Sequence, residues 1–327
     1  MDVPLSILDL APIGAGETAS DSLQASVNLA QRAEEWGYRR IWYAEHHNIP
    51  RIASAATSVL IGHMAAHTRS IRLGAGGVML PNHAPLTIAE QYGTLETLHP
   101  GRIDLGLGRA PGSDQQTARA MRRDPSAADS FPQDVQELQG YLTGESRIPG
   151  VEATPGKGTD VPLYILGSSL FGAKLAAALG LPYSFASHFA PNALEDAVAL
   201  YRREFRPSEQ LLEPHVIAGV NIIATDTMEG AQAQFQAAKR SRLRQMTRRS
   251  FSREEADSIL ESPEGQQVQQ MFKYSAVGTP GEVKDYLDGF VKHAQADELM
   301  VASMAPDRDV WLRSVELLAE VAGPIPA

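Results

Sequence analysis

The chain has 327 residues, of which 43% are hydrophobic and 21% charged, and its formal net charge is −10 with a pI near 5.4. This length suits two ordinary domains or one large α/β barrel, and the acidic balance argues against a dedicated nucleic-acid-binding protein, because phosphate neutralisation requires surplus lysine and arginine. The absence of cysteine excludes disulfide bonds, thiolate metal sites and cysteine nucleophiles.

Apolar strand-like runs alternate along the chain with amphipathic or alanine-rich helix-like runs. The predicted strands are residues 5–10, 40–44, 70–74 with a continuation through the next glycines, 103–107, 161–166, 182–186, 215–224 and 298–301. The predicted helices are residues 20–36, 53–67, 85–98, 131–142, 169–179, 192–205, 279–294 and 307–321. Eight strand–helix units in a chain of this size favour a (β/α)8 TIM barrel.

We interpret residues 1–327 as one barrel domain with insertions near residues 114–158 and 228–273. The segment KRSRLRQMTRRSFSR, residues 239–253, is locally basic. We interpret it as a solvated helix face on the second insertion, with nucleic-acid binding as the alternative. The amino terminus lacks a basic region and no window approaches about 18 apolar residues, so we expect no signal peptide, no membrane association and a cytoplasmic location.

Barrel chemistry lies at the carboxyl ends of the strands, where this chain places several polar groups. Gly167, Ser168 and Ser169 end the fifth predicted strand and open a helix, whose free N–H groups favour an anion; a simple N-cap is the alternative. Arg109 follows the neighbouring fourth strand, and its guanidinium suits a phosphate, with a surface ion pair as the alternative. Together these residues predict a binding site for a cofactor phosphate.

The third predicted strand ends in glycines, including Gly76 and Gly77. Glycine weakens a strand unless a ligand or another backbone comes close, so a flat ring system stacked near this backbone would explain the pair. A β-bulge is the alternative.

The second predicted strand ends in Glu45, His46 and His47. Successive side chains point to opposite faces of a strand, so one imidazole can enter the barrel mouth while the other points outward. This geometry and the lack of an HExxH motif argue against a metal site. We expect one functional histidine in an acid–base or electrostatic role.

Four longer segments resemble the bacterial-luciferase-like FMN-dependent monooxygenase family over nearly the whole chain. They are YAEHHN, LGAGGVMLPNHAPLTIAEQYGTLETLHPGRIDLGLGRAPGSD, LYILGSSLFGAKLAAALGLPYSFASHFAP and AVGTPGEVKDYL. The resemblance implies a (β/α)8 barrel that binds FMN at the carboxyl ends of its strands. It also implies a reaction in which reduced FMN and O₂ form a flavin C4a-hydroperoxide that oxygenates a small organic substrate.

The resemblance also assigns roles to individual residues. It implies that His46 is catalytic, that Gly76 and Gly77 form a cis peptide bond beneath the flavin ring, that Arg109, Ser168 and Ser169 bind the phosphate, and that Glu90 faces the flavin. Luciferase itself has a reactive cysteine where this chain has Gly108 and a glutamate at Ser168, so light emission is not implied. Two alternatives stay open: hydride transfer with a deazaflavin or flavin, and non-catalytic flavin binding.

The expected partners are the substrate, O₂ and a separate flavin reductase, because the chain has no GxGxxG fingerprint for a nicotinamide cofactor. We also expect a homodimer, since helices 53–67 and 85–98 have an apolar surplus and relatives pair through such helices. The residues concerned are Val59, Leu60, Ile61 and Met64. Packing of these residues in the core is the alternative.

Overall fold

The computed structural model of the protein describes residues 1–110 and 114–323, so residues 111–113 of the GRAPGSD segment and residues 324–327 lie outside it. The strands are β1 (Leu5–Asp9), β2 (Arg40–Tyr43), β3 (Arg72–Met79), β4 (Ile103–Gly108), β5 (Leu163–Gly167), β6 (Tyr183–Phe185), β7 (Val216–Ala224), β8 (Ser275–Gly278) and β9 (Glu298–Ser303). The helices are α1 (Ala19–Glu35), α2 (Thr57–His67), α3 (Pro85–Leu98), α4 (Gln115–Ala120), α5 (Phe131–Thr143), α6 (Leu170–Leu179), α7 (Leu194–Glu204), α8 (Met228–Thr247), α9 (Arg253–Glu261), α10 (Gln266–Met271), α11 (Pro280–Ala294) and α12 (Arg308–Ala322).

Eight of these strands close into a parallel barrel. β1 to β7 pair in chain order, β7 pairs with β9, and β9 pairs back with β1. Each barrel strand overlaps one of the eight predicted strands. The predicted (β/α)8 barrel is therefore confirmed.

The sequence patterns do not predict β8. It pairs in parallel with residues 221–224 of β7, while β9 occupies the other edge of β7 along residues 217–222. Because β6 pairs lower down, with residues 216–218, β8 continues the same edge beyond the end of β6. The barrel wall is thus taller here, on the side of its carboxyl-terminal mouth.

Strand residues alternate between the barrel interior and the surrounding helices. Inward-facing residues, including Leu8, Trp42, Tyr164 and Met300, form a separate apolar cluster inside the barrel. Their outward-facing neighbours join the larger core between the strands and the helices. At the carboxyl end of each strand, an inward-facing side chain therefore points into the barrel mouth.

A buried ionic network fills the amino-terminal floor of the barrel. Arg40 is 2% exposed and binds the fully buried carboxylates of Asp104 (2.7 Å) and Glu298 (2.9 Å). Asp104 also accepts hydrogen bonds from Arg72 (3.0 Å) and from Trp42 Nε1 (3.0 Å). Buried charges need such partners, so this network closes the floor and leaves the opposite end for chemistry.

The second predicted insertion, residues 228–273, folds into α8, α9 and α10 around its own small core. Buried residues of α8 such as Ala238 and Leu243 pack there with Ile223, at the end of β7, and with Met304, which follows β9. The insertion therefore sits on the carboxyl ends of these strands. The predicted solvated face describes residues 244–250, which are exposed, but not the start of the segment, where Lys239 is only 9% exposed and Arg242 is half-buried.

The predicted helix 53–67 starts later than expected, at Thr57. The preceding residues bind the strand-end loops instead: Ala53 N donates to Ala11 O (3.0 Å), and Ser54 O accepts from His46 N (3.0 Å). The Ser54 carbonyl, which a helix from residue 53 would use for an intrahelical bond, is thereby occupied by His46 N–H. No helix in the described part of the chain is long and apolar enough to cross a membrane.

Candidate active site at the carboxyl ends of the strands

The carboxylate of Glu45 is engaged by three donors after the end of β2. It accepts hydrogen bonds from Nε2 of His47 (2.8 Å), Nε2 of His83 (2.8 Å) and the backbone N–H of Met79 (3.0 Å). Burial opposes ionisation of Glu45, but the hydrogen bonds and charge of His83, with help from His47 and Met79, hold its pKa below the usual value. This carboxylate ties the loop after β2 to the end of β3.

His46 occupies the opposite side of the chain from that network. Its side chain is half-buried, and its Nδ1 atom is fully buried without a hydrogen-bond partner among residues 1–110 and 114–323. Burial lowers the pKa of His46, and the positive charge of Arg242 lowers it further. His46 and His47 thus have separate environments, as the alternation of side chains predicts, and His46 is neutral near pH 7.

A second imidazole, His188, follows β6 and faces the same space. A side chain at Gly219 would come within 2.4 Å of His188 Nδ1, so the ring lies directly on the glycine backbone. Asn221 Nδ2 donates to the carbonyl of His188 at 2.6 Å. Burial, followed by the charges of His46 and Arg242, lowers the pKa of His188 to about 4. The His188 ring is therefore neutral near pH 7.

The sequence analysis assigned no role to His188 or to Arg242. Arg242 belongs to α8, in the basic segment, yet its charge acts on both His46 and His188. A sequence signal for His188 existed, since it follows an apolar strand. No periodic pattern separates Arg242 from the exposed arginines around it.

The peptide bond between Gly76 and Gly77 is cis, the geometry that the family resemblance implies for this pair. A side chain on Gly76 would clash with Leu8 and Trp42 at 2.8 and 2.9 Å, and one on Gly77 would clash with Gly106 O at 2.7 Å. The pairing of β3 with β4 also shifts here, so the bulge alternative describes the strand correctly. Contact of the pair with a flavin stays a prediction.

The predicted phosphate residues meet at the start of α6. The guanidinium carbon of Arg109 lies 4.1 Å from the ring centre of Phe171 in the first turn. Ser169 is the N-cap residue, but its side chain makes no capping hydrogen bond, and its carbonyl accepts from Tyr183 Oη at 3.0 Å. First-turn N–H groups without a cap, next to an exposed arginine, form an arrangement suited to an anion.

Gly167 and Ser168 belong to the same corner, whereas Glu90 does not. A Cβ atom added to Gly167 would lie 3.6 Å from the Cα atom of Gly172, so the end of β5 packs closely on the start of α6. Glu90 lies half-buried in the second turn of α3, and its side chain makes no hydrogen bond or ion pair within the part of the chain described here. The structure therefore brings Arg109, Ser168 and Ser169 together but joins Glu90 to none of them.

These residues lie in a chain that matches a known family model along most of its length. The model described as luciferase-like monooxygenase matches residues 3–297. The chain belongs to the luciferase-like monooxygenase family.

Relatives and solved structures agree with this family. The chain is 47% identical over 324 residues to a luciferase-like monooxygenase of Escherichia coli (strain K12), covering 98% of this chain and 97% of the relative. It is 37% identical over 271 residues to the N-acetyl-S-alkylcysteine monooxygenase of Bacillus subtilis (strain 168), covering 80% of each. The crystal structure of apo-MsnO8 superposes with a TM-score of 0.88 at 34% identity, covering 99% of this chain and 100% of that one. The predicted family is confirmed.

Proposed function

We propose that this luciferase-like monooxygenase uses reduced FMN and O₂ to insert one oxygen atom into a small organic substrate. The observation that carries the proposal is the pair of neutral imidazoles, His46 and His188, whose buried Nδ1 atoms lack partners in the described structure. Buried polar atoms normally find partners, so such atoms at a barrel mouth mark a place for ligand groups.

The residues present fit a flavin mononucleotide. The uncapped first turn of α6 and the guanidinium of Arg109 would hold the phosphate, and Ser168 and Ser169 add hydroxyl groups beside it. Leu10 and Leu166, which are partly buried against the apolar cluster inside the barrel, offer apolar surface for a flat ring. Deazaflavins also carry a phosphate and a flat ring, so this fit supports a flavin-type cofactor in general. The choice of FMN within that class rests on the family resemblance.

Reduced FMN, when bound, supplies two electrons, so that one atom of O₂ can enter the substrate and the other leave as water. His46 can hold or pass a proton at Nδ1, because its lowered pKa keeps the imidazole neutral near pH 7. The insertion helices α8 to α10 lie over the ends of β7 and β9 and exclude water from that side. Glu45 fixes the backbone next to His46 through its three hydrogen bonds.

The substrate is proposed from the relatives. The 37% identical relative is named for N-acetyl-S-alkylcysteines, which makes these thioethers the first compounds to test. A separate flavin reductase completes the proposal, since the chain has no nicotinamide-binding fingerprint.

A homodimer is also proposed, but the residues that would form its interface differ from those expected from the sequence. Leu60, Ile61 and Met64 pack in the core, so they cannot carry the interface. Val59 on α2 is 69% exposed and Leu98 on the adjacent α3 is 66% exposed. Light scattering should give a dimer mass for the wild-type protein and a monomer mass for a variant carrying Val59→Glu and Leu98→Glu. A dimeric double variant would rule out this face.

The test of the proposed reaction is turnover with ¹⁸O₂. Purified protein, a flavin reductase, FMN and N-acetyl-S-benzylcysteine are incubated under ¹⁸O₂, and products are analysed by mass spectrometry. One ¹⁸O atom in the product supports oxygen insertion. An unlabelled oxidised product that also forms without O₂ would indicate hydride transfer, and flavin binding without any product from a panel of thioethers would favour the non-catalytic alternative.

A further inference from the structure

The charged lining of the barrel mouth on the β6–β7 side includes one cation that the proposed reaction has not used. Arg242 lies in the second half of α8, next to Leu243, which is buried in the core that joins the insertion to Ile223 of β7. This packing sets α8 against the strand ends. Arg242 is half-buried there, whereas Arg244, two residues further along the same helix, is exposed.

Arg242 has no acidic partner in the part of the chain that the structure describes. Its one hydrogen bond goes to the neutral side chain of Gln245, at 3.3 Å. By contrast, Arg240 on the same helix makes a two-pronged ion pair with Asp257, at 2.6 and 2.7 Å. Partial burial of a guanidinium without a counter-ion is unfavourable, and Arg242 lacks the carboxylate partner that Arg240 has.

The groups near Arg242 are complementary to an anion. The charge of Arg242 helps to keep His46 and His188 neutral. Each neutral ring has one N–H group that can donate to an anion, and neither ring brings a negative charge. The nearest carboxylate to His46, that of Glu45, already accepts three hydrogen bonds on the other side of the chain. Nothing else described at this wall neutralises the guanidinium.

Arg242 belongs to α8, which follows β7, whereas the proposed phosphate residues Arg109, Ser168 and Ser169 follow β4 and β5. Arg109 and the first turn of α6 lie beyond β4 and β5, whereas Arg242 acts on the residue that follows β6 and rests on β7. A phosphate held on the first turn of α6 is assigned to Arg109. The position of Arg242 after a different strand, β7, points to an anion from a second molecule.

We infer that Arg242 binds a carboxylate of the substrate, so that the enzyme acts on small organic acids, with the oxidised atom held toward His46 and His188. This inference rests on the proposed function, because it concerns the molecule that the same site would oxygenate. Arg242 is thus assigned as a specificity-determining residue contributed by the insertion.

The test compares carboxylates with their uncharged amides by titration calorimetry on the full chain, with and without saturating FMN. The probes are N-acetyl-S-benzylcysteine, N-acetylmethionine and phenylacetate, each with its carboxamide. We expect the wild-type protein to prefer at least one acid over its amide by about ten-fold to a hundred-fold, as for a charge-assisted hydrogen bond. Arg242→Gln should remove that preference, and Arg242→Lys should retain part of it.

Arg244→Gln is the matched control, because it removes the same charge from the exposed side of the same helix. It should keep the wild-type preference. Equal binding of every acid and its amide to the wild-type protein, or no binding of either, would overturn the inference. So would a loss of FMN affinity in Arg242→Gln as large as that in Arg109→Gln, since the anion would then belong to the cofactor. None of these readouts depends on oxygen insertion, so the inference and the proposed reaction can fail separately.

Discussion

The guanidinium of Arg109 stacks on the ring of Phe171, with 4.1 Å between the guanidinium carbon and the ring centre. This contact connects the loop after β4 to the first turn of α6. Stacking on the face of a ring leaves the N–H groups at the edge of the guanidinium available to an anion. The aromatic side chain thus holds the cation beside the uncapped helix terminus.

Arg109→Ala should weaken FMN binding by about 1.5–3 kcal/mol, because a charge-assisted hydrogen bond to the phosphate is lost. Phe171→Ala should weaken it less, by about 0.5–1 kcal/mol, because the arginine loses only its stacking partner. Both affinities can be measured by fluorescence titration of FMN. Arg69→Ala, an exposed arginine that precedes β3 at the other end of the barrel, is the control and should leave the affinity unchanged. Wild-type affinity in Arg109→Ala would remove this residue from the phosphate site.

His46→Ala should leave FMN affinity nearly intact and reduce turnover by about 100-fold or more, as expected for loss of an acid–base group. The measurement is steady-state oxygenation with reduced FMN supplied in excess, alongside FMN titration. His63→Ala is the control, because it removes an exposed imidazole from α2, outside the hydrogen-bond network of Glu45. Unchanged turnover in His46→Ala, or equal losses in both variants, would contradict a specific role for His46.

The sequence predicted the barrel well because its signal is repeated and local. Each strand is a short apolar run, and each connects to a helix whose buried positions recur at helical spacing. The sequence patterns did not predict β8, because it has only four residues, SAVG. It is defined by its pairing with residues 221–224 of β7 and not by its own composition. Short strands of this kind depend on tertiary context.

The site was predictable only where strand order determines proximity. Arg109 and Ser168 follow adjacent strands, so the order of the strands alone predicts that they meet. Arg242 comes from an insertion whose placement depends on packing against Ile223 and Met304. The sequence pattern does not predict which residues of the insertion make that contact. Its segment is basic and therefore has the composition of an exposed helix face.

Asp104→Asn should destabilise the protein by about 3 kcal/mol or more. The change removes the charge that faces Arg40, which is 2% exposed and cannot recover hydration in the barrel floor. Urea unfolding followed by far-UV circular dichroism gives the free energy of unfolding. Glu35→Gln is the control, since its ion pair with Arg32 is exposed and should contribute less than about 1 kcal/mol. Similar losses in both variants would show that the network does not support the floor.

His188 should make the protein less stable as the solution is acidified below pH 6.5. Its pKa is about 4 in the folded protein, because of burial and the nearby charges of His46 and Arg242, and about 6.5 when unfolded. Between these values the unfolded chain binds a proton that the folded protein does not, so the free energy of unfolding decreases as pH falls. The contribution is fully present above pH 6.5, declines by up to about 3 kcal/mol towards pH 4, and changes no further below it.

His188→Asn should therefore show a shallower loss of stability between pH 6.5 and pH 4 than the wild-type protein, whatever its stability at pH 7. Urea unfolding at intervals of about half a pH unit measures this slope, and the comparison of slopes separates the proton linkage from any general weakening caused by the substitution. His63→Asn, which removes an imidazole from the exposed side of α2, serves as the matched control. If His188→Asn and the wild-type protein lose stability in parallel across this range, the His188 imidazole is not held neutral by the fold, and the environment assigned to the His46–His188 pair is wrong.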